Sequence, residues 1–528
     1  MTDRLRDFIE RYFVFVLLFL SALLFFLNLQ SRDFWAPDEG DFALIVKELK
    51  NNPVVPHLNN IPYGEKPPLF YYLTYLSKGI FFFLKDEVSL RLVSGISALS
   101  FVLFFFITLS RYRDKGHAIF SALILISSPL FYWQARYLQV DMVFSVFICL
   151  SLLFFFKYYR ESVVLFYYLF YIFLGLAFMT KGPLTLALVC PVAITMSISK
   201  KKLRLIMTKH TIAGIIIFLA IALPWYVMIY LKEGLPFLYE NIIRQNILRF
   251  FDAWSHKRPF YYYLTTLPLD FFPWSLFLPF GIYYAIKNIR HDDLMGFFII
   301  WFFWMFIFLS LSSGKISKYM LPALPAAAFM VASTIKKDQG VYNTLVFYLI
   351  SLIFLILGGL LFIFKVDTYT EFKYVRICLG CICVLTSLFM FFFAKGRRLS
   401  LAFFTLFSGI AVVFLIANIS VYEKVNKYKS PKPISEKIKS LTSNGTPWVY
   451  YGSIRGVYVY YADNFAIHID DHKEDDLAAL RDKNNAFFIL TRKRDVDDVK
   501  RVLKDVSVIS EYNIGDTQMV ILEYKNKG

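Results

Sequence analysis

The chain is poor in charge for its length. Only 18% of its 528 residues are Asp, Glu, Lys or Arg, while 58% are hydrophobic and the mean hydropathy is +0.54. So little charge excludes an ordinary soluble domain and leaves a polytopic α-helical membrane protein. Cysteine is scarce too. Cys149, Cys190, Cys378, Cys381 and Cys383 all fall in apolar stretches, and the polar C-terminal region has none. That pattern excludes a disulfide framework, and Cys378, Cys381 and Cys383 have no nearby His to make a metal site. The sequence also lacks a P-loop, a dinucleotide fingerprint, internal repeats and low-complexity segments.

What is present is a long succession of apolar runs rich in Phe (59) and Tyr (35). The net charge, 57 − 39 = +18, resides largely in short loops. Such a distribution reads as membrane topology rather than nucleic-acid binding. Arg4, Arg6 and Arg11 precede the run Phe13–Leu29, which is too long for a signal-peptide core. It reads as an uncleaved anchor with a cytoplasmic N-terminus. Basic loops recur at 111–115, 157–160, 200–209, 287–290, 336–337 and 395–398. They alternate correctly if the short stretch Leu69–Leu84, interrupted by Lys78, is re-entrant or interfacial. About thirteen crossings then remain, near 13–29, 89–109, 117–133, 140–156, 163–178, 182–198, 211–231, 271–287, 295–312, 318–335, 343–364, 374–394 and 401–421. This topology puts the C-terminus outside, with outer loops at 30–88 and 232–270.

Residues 1–424 read as the membrane domain and 425–528 as a small extracytoplasmic α/β domain behind a linker marked by Pro431 and Pro433. Its predicted strands are Trp448–Tyr451, Phe487–Leu490 and Met519–Tyr524, with helices near 434–441, 473–481 and 495–504.

The same topology collects polar motifs on the outer face, as one active site at a membrane surface requires. Asp38 and Glu39, in Ala36-Pro37-Asp38-Glu39-Gly40, begin a predicted helix extending to Leu49. Carboxylates there cap a helix dipole, or serve as a general base or metal ligand. In Gly64-Glu65-Lys66-Pro67-Pro68 the prolines fix Lys66 at headgroup depth. It either snorkels or holds a lipid phosphate. Arg136 and Asp141 bracket a turn, and Lys181-Gly182-Pro183 lies where two spans meet. Both groups suit a structural ion pair or a polar site. His256 shares a loop with Arg249, Arg258 and the run Tyr261-Tyr262-Tyr263; it is a solvated residue or a metal ligand. Lys315, Lys318 and Tyr319 close the set.

The order of these motifs resembles the protein O-mannosyltransferase-like superfamily of membrane glycosyltransferases. The bacterial branch is the nearer one, which includes the enzyme that adds 4-amino-4-deoxy-L-arabinose to lipid A. The matching pieces are PDEG at 37–40, YGEKPPLFYYL at 63–73, RYLQVDM at 136–142, TKGP at 180–183, NILRFFDAWSHKRPFYYYL at 246–264, FFPWSLFLP at 271–279 and SSGKISKYMLPALP at 312–325.

The resemblance implies a GT-C fold and inverting transfer from a polyprenyl-phosphate sugar donor. It implies Asp38 as the catalytic carboxylate, with Glu39 beside it and Asp141 in support. Lys66 would hold the lipid phosphate, aided by Arg249 or Arg258 and Tyr319, with Arg136, Lys181 and Lys315 as further substrate-binding candidates. His256 would be the candidate ligand of a divalent metal, and no nucleotide is needed. One departure stands out. Where the lipid A enzymes usually carry a basic residue and a Tyr after the acidic pair, this chain reads Gly40-Asp41-Phe42. A third acid suits an anionic acceptor poorly, so lipid A, protein and other envelope glycans all stay open as acceptors. A transporter or flippase of lipid-linked sugars is the competing class. It calls for paired broken spans and midplane charges, and the sequence has neither paired broken spans nor a repeat.

Overall fold

The computed structural model describes residues 3–337, 340–364, 367–471 and 473–526. Two compact units emerge, one of residues 1–29, 64–73 and 91–419, the other of 30–63, 74–90 and 420–528.

The first unit is a helical membrane bundle. Across the described residues, ten helices are long and apolar enough to cross a bilayer, or eleven if the pair Lys115–Ile126 and Pro129–Ala135, bent by 69°, counts as one span. That is fewer than the thirteen expected. The expected span 182–198 is the 16-residue helix Leu184–Ser199. The expected span 271–287 breaks into a 3-10 turn at Trp274–Leu276 and an 11-residue helix, Leu278–Asn288. Pro273 and Pro279 lie at that break, and proline cannot continue the helical hydrogen-bond ladder. Leu69–Ile80 is a 12-residue helix, too short to cross.

Local chemistry fixes the helix ends. The Asp114 carboxylate accepts from the His117 amide at 3.0 Å and so caps Lys115–Ile126. Asp292 caps Asp293–Leu311 by accepting from the Leu294 and Met295 amides. One end of the bundle is a lattice of ion pairs among the basic loops. Arg111 pairs with Glu161, Arg113 with Asp292, and both Arg160 and Lys200 with Asp293. Glu161 ends the 22-residue helix Val140–Glu161 and Asp141 begins it. At 1.5 Å per residue the two carboxylates stand about 30 Å apart, so Asp141 belongs to the opposite end of the bundle.

The second unit centres on a five-stranded sheet of order β4-β3-β5-β7-β6. The elements are β3 (Trp448–Tyr451), β4 (Ile467–Ile469), β5 (Ala486–Arg492), β6 (Val506–Ile514) and β7 (Thr517–Lys525). Strand β3 runs parallel to β4 and β5, and β7 is antiparallel to β5 and β6. Val449, Ile489, Val520 and Leu522 form its core with Leu477 and Val499 from the covering helices. Residues 30–63 belong to this unit and contribute the helix Asp38–Glu48 and the short hairpin β1 (His57–Leu58) with β2 (Ile61–Pro62). Asn59 and Asn60 make the hairpin turn at φ 56° and 61°, a left-handed geometry that Asn tolerates. Their amides donate to the Glu48 carboxylate at 2.7 and 2.9 Å. Burial pushes the Glu48 carboxyl above its ordinary range, opposed by those same amides.

Candidate active site

In the membrane unit, Asp141 is the centre of a buried charge cluster. It is 3% exposed and occupies the second position of its helix. The Lys181 ammonium donates to one of its oxygens. Lys318 approaches the other at 3.7 Å. Lys181 is the last residue of Val164–Lys181, where Gly182 at φ 74° turns the chain away. Its ammonium also lies 5.0 Å from the Phe144 ring centroid and 4.8 Å from that of Tyr319. Tyr319 follows Lys318 in the 3-10 turn Ser317–Ala323.

Lys66 enters the same neighbourhood from the segment before Leu69–Ile80. Pro67 and Pro68 are buried, and the Asn241 amide donates to the Gly64 carbonyl at 2.8 Å. The Tyr226 hydroxyl in turn donates to Asn241 at 3.2 Å. These contacts fix the loop that carries Lys66. Burial draws the Lys66 ammonium down to about 8 from the ordinary lysine value. The charges of Lys181 and Arg249 push the same way, and those of Glu65 and Asp141 oppose them. Arg249 is held by Gln245 at 3.0 Å and Ser255 at 3.4 Å. Lys66, Lys181, Lys318 and Arg249 thus face Asp141 and Glu65, a surplus of positive charge at one end of the bundle.

Other sequence candidates are engaged elsewhere. Arg136 is 4% exposed, and its guanidinium donates to the carbonyls of Leu24 and Phe25 at 3.0 Å and Leu27 at 2.9 Å. It caps the C-terminal end of Asp3–Phe26, a structural use. The Lys315 ammonium donates to the carbonyls of Ser312 and Arg258, and burial lowers its pKa. It pins the segment 249–258 against 312–315, which the Lys257–Gly314 bridge also joins. It too is a positioning group. Arg258 is exposed, its guanidinium 5.9 Å from the Tyr262 ring centroid. His256 is exposed at φ 58°, and its carbonyl accepts from the Lys315 amide at 3.0 Å. No group of three or more His, Cys, Asp or Glu side chains gathers as a metal site among the described residues. The donor set around His256 therefore does not fit the divalent metal expected there.

In the second unit, Asp38 is the first residue of Asp38–Glu48 and is half-buried. Glu39 is fully buried and pairs with Arg32 at 2.9 Å. Its other oxygen accepts from the Trp35 amide at 3.5 Å. Asp41, the apparent departure in the motif, accepts from the Gly456 amide at 2.6 Å. That carboxylate is spent on holding the unit together. Sequence reasoning passed over Arg32. It also kept Lys318 out of the leading candidates, although Lys318 and not Lys315 faces Asp141; no spacing rule distinguishes two lysines three residues apart in a non-helical turn.

Residues 65–228 match the family model described as dolichyl-phosphate-mannose-protein mannosyltransferase. The fold is that of ArnT from Cupriavidus metallidurans bound to undecaprenyl phosphate, with a TM-score of 0.78 at 17% identity over 97% of this chain and 98% of the other. The chain thus has the GT-C fold of membrane glycosyltransferases. Its curated relatives include the undecaprenyl phosphate-alpha-4-amino-4-deoxy-L-arabinose arabinosyl transferase of Pectobacterium atrosepticum, 28% identical over 66% of this chain and 63% of the other. A Pseudomonas fluorescens transferase of the same description is 31% identical over 61% of this chain and 59% of its own length. The chain thus spans about three fifths of the length of these relatives.

Proposed function

We propose that this GT-C protein transfers a sugar from an undecaprenyl-phosphate donor to an envelope acceptor at the outer face of the inner membrane, with inversion. The observation that carries the proposal is the cationic surplus around Asp141. Partly buried cations that outnumber the carboxylates beside them suit an anion that arrives with its own charge, and a lipid phosphate is such an anion. In the transfer, an acceptor oxygen forms a bond to the anomeric carbon as the bond from that carbon to the phosphate oxygen breaks. Negative charge grows on the departing phosphate, and Lys66, Lys181, Lys318 and Arg249 are placed to stabilise it. Asp141 holds two of these ammoniums in position. Asp38 takes the acceptor proton as general base, a role assigned from the PDEG motif. Glu39, Arg136 and Lys315 act by positioning, and no step passes through a metal.

The sugar to test first is an aminopentose, as in the names of the curated relatives, and the acceptor to test first is lipid A, as the resemblance of the motifs implies. The third acid no longer argues against an anionic acceptor, because Asp41 is engaged by Gly456. Protein and other glycans are the remaining acceptor classes. Deleting the gene in the native host and weighing lipid A, envelope glycans and glycopeptides by mass spectrometry tests the proposal. It predicts loss of a pentosamine mass from lipid A. Loss of a hexose from a glycopeptide alone reassigns donor and acceptor, and no change in any fraction contradicts transfer.

A further inference from the structure

The second unit contains a cavity of about 280 Å³ that the transfer reading does not use. Its wall is built from the Ala36-Pro37 segment, the end of the helix Tyr422–Lys429, strands β3, β5 and β7, and the turn between β6 and β7. The wall is basic and aromatic. Arg455 and Arg492 enter it from different elements, both half-buried, with Lys429 at the rim. Trp35, Tyr450 and Tyr458 supply ring surface. The Lys429 ammonium lies 5.6 Å from the Trp35 ring centroid, and the two tyrosine centroids are 5.8 Å apart.

The two arginines differ from every other arginine of this unit. Arg32 pairs with Glu39, Arg481 with Asp482, Arg494 with Asp495, and Arg501 with both Glu474 and Asp498. Among the described residues, neither Arg455 nor Arg492 has a carboxylate within ion-pair distance. Of the nearby acids, Asp41 is taken by the Gly456 amide and Asp516 stands exposed at the rim. A partly desolvated guanidinium without an anion is unfavourable, and two in one concavity are more so. Burial pushes the Tyr458 phenol up to about 12 against the opposing charge of both arginines, so it remains a hydroxyl donor at neutral pH.

We propose that this cavity is a binding site for a phosphorylated saccharide. Arg455 and Arg492 take the phosphate, and Trp35 with Tyr450 and Tyr458 takes the sugar ring. Guanidinium forks match phosphate geometry, and aromatic rings favour the apolar faces of a pyranose. The site rests on the transfer reading only for its natural ligand, which under that reading is the acceptor's phosphorylated headgroup.

The test is direct binding to the full-length protein in nanodiscs, which needs no transfer activity. Glucosamine 1-phosphate, glucosamine and inorganic phosphate are titrated by following Trp fluorescence, with calorimetry as a check. Glucosamine 1-phosphate should bind at least tenfold more tightly than glucosamine and more tightly than inorganic phosphate. Arg455→Gln/Arg492→Gln should weaken it at least tenfold while Arg481→Gln, at an arginine outside the cavity, leaves it unchanged. If the double variant fails to fold, each single variant should still weaken binding at least threefold. Equal affinity for inorganic phosphate and glucosamine 1-phosphate would overturn saccharide recognition. Unchanged affinity in the arginine variants, or no binding to wild type, would overturn the site. A protein that binds but transfers nothing would leave this site standing and count against the transfer reading alone.

Discussion

The Asp41 carboxylate accepts a hydrogen bond from the Gly456 amide at 2.6 Å, joining residues 415 positions apart. Immediately before it, Gly40 packs so closely that a Cβ would stand 2.4 Å from the Val457 backbone Cα. The Gly-Asp step is therefore a docking device for the helix Gly456–Ala462. Asp41→Ala should lower stability by about 0.5–2 kcal/mol, the usual cost of losing a helix-terminal acceptor. Gly40→Ala should cost about 1–3 kcal/mol through overpacking. Thermal unfolding of the purified variants measures both.

Glu39 should report on folding rather than chemistry. Glu39→Gln leaves Arg32 buried beside a neutral partner, a change that costs about 3–5 kcal/mol. The apolar double variant Arg32→Leu/Glu39→Leu should recover part of that loss. Transfer per folded molecule should fall far less in Glu39→Gln than the roughly 10²–10⁴-fold expected for Asp38→Asn. A Glu39→Gln protein of normal Tm but no activity would move the base to Glu39.

Much of this architecture was legible in the sequence. Lys66, Asp141, Lys181 and Arg249 were all singled out, because ionisable residues at the ends of apolar runs need a reason to be there. Strand β3 lies at the predicted residues, and β5 and β7 run one or two residues beyond theirs at each end. Strands β4 and β6 were missed. The first has only three residues, and the second is a mostly exposed edge whose alternation is interrupted by the register shift between Val508 and Ser510. The membership of residues 30–63 in the second unit was also invisible, since nothing in Gly40 or Asp41 names a partner four hundred residues away. The carbonyl partners of Arg136 were invisible for the same reason. Sequence shows a buried cation but not the three carbonyls that receive it.

The titration of Lys66 gives a pH signature. Its folded value is about 8, below the ordinary lysine value of 10.5. The ammonium is present below pH 8 and lost as pH rises through it, so affinity for undecaprenyl phosphate should fall across that range. In Lys66→Arg the charge persists and the decline should flatten. Between pH 8 and 10.5 the unfolded chain binds more protons at this site than the ligand-free folded one, so this group's contribution to stability rises with pH. Titrating donor affinity from pH 6.5 to 9.5 in both proteins checks the first point.

Topology supplies an independent check. The basic loops imply that Lys202 faces the cytoplasm and Ser430 the opposite side. Among the described residues six of the long apolar helices lie between these two positions, so opposite sides require the broken segment 271–288 to cross as well. Reporter fusions after these residues should therefore give opposite signals. The same signal from both would remove the crossing at 271–288.

The central claim is that the lysine cluster receives the phosphate of a polyprenyl-linked donor for sugar transfer. The most direct measurement is the release of undecaprenyl phosphate, with matching acceptor mass gain, from an undecaprenyl-phosphate aminopentose by purified wild type, Lys66→Ala and Asp38→Asn. The account predicts turnover by wild type, a loss of at least tenfold in Lys66→Ala at unchanged Tm, and about 10²–10⁴-fold loss in Asp38→Asn. Full turnover by Lys66→Ala would contradict it.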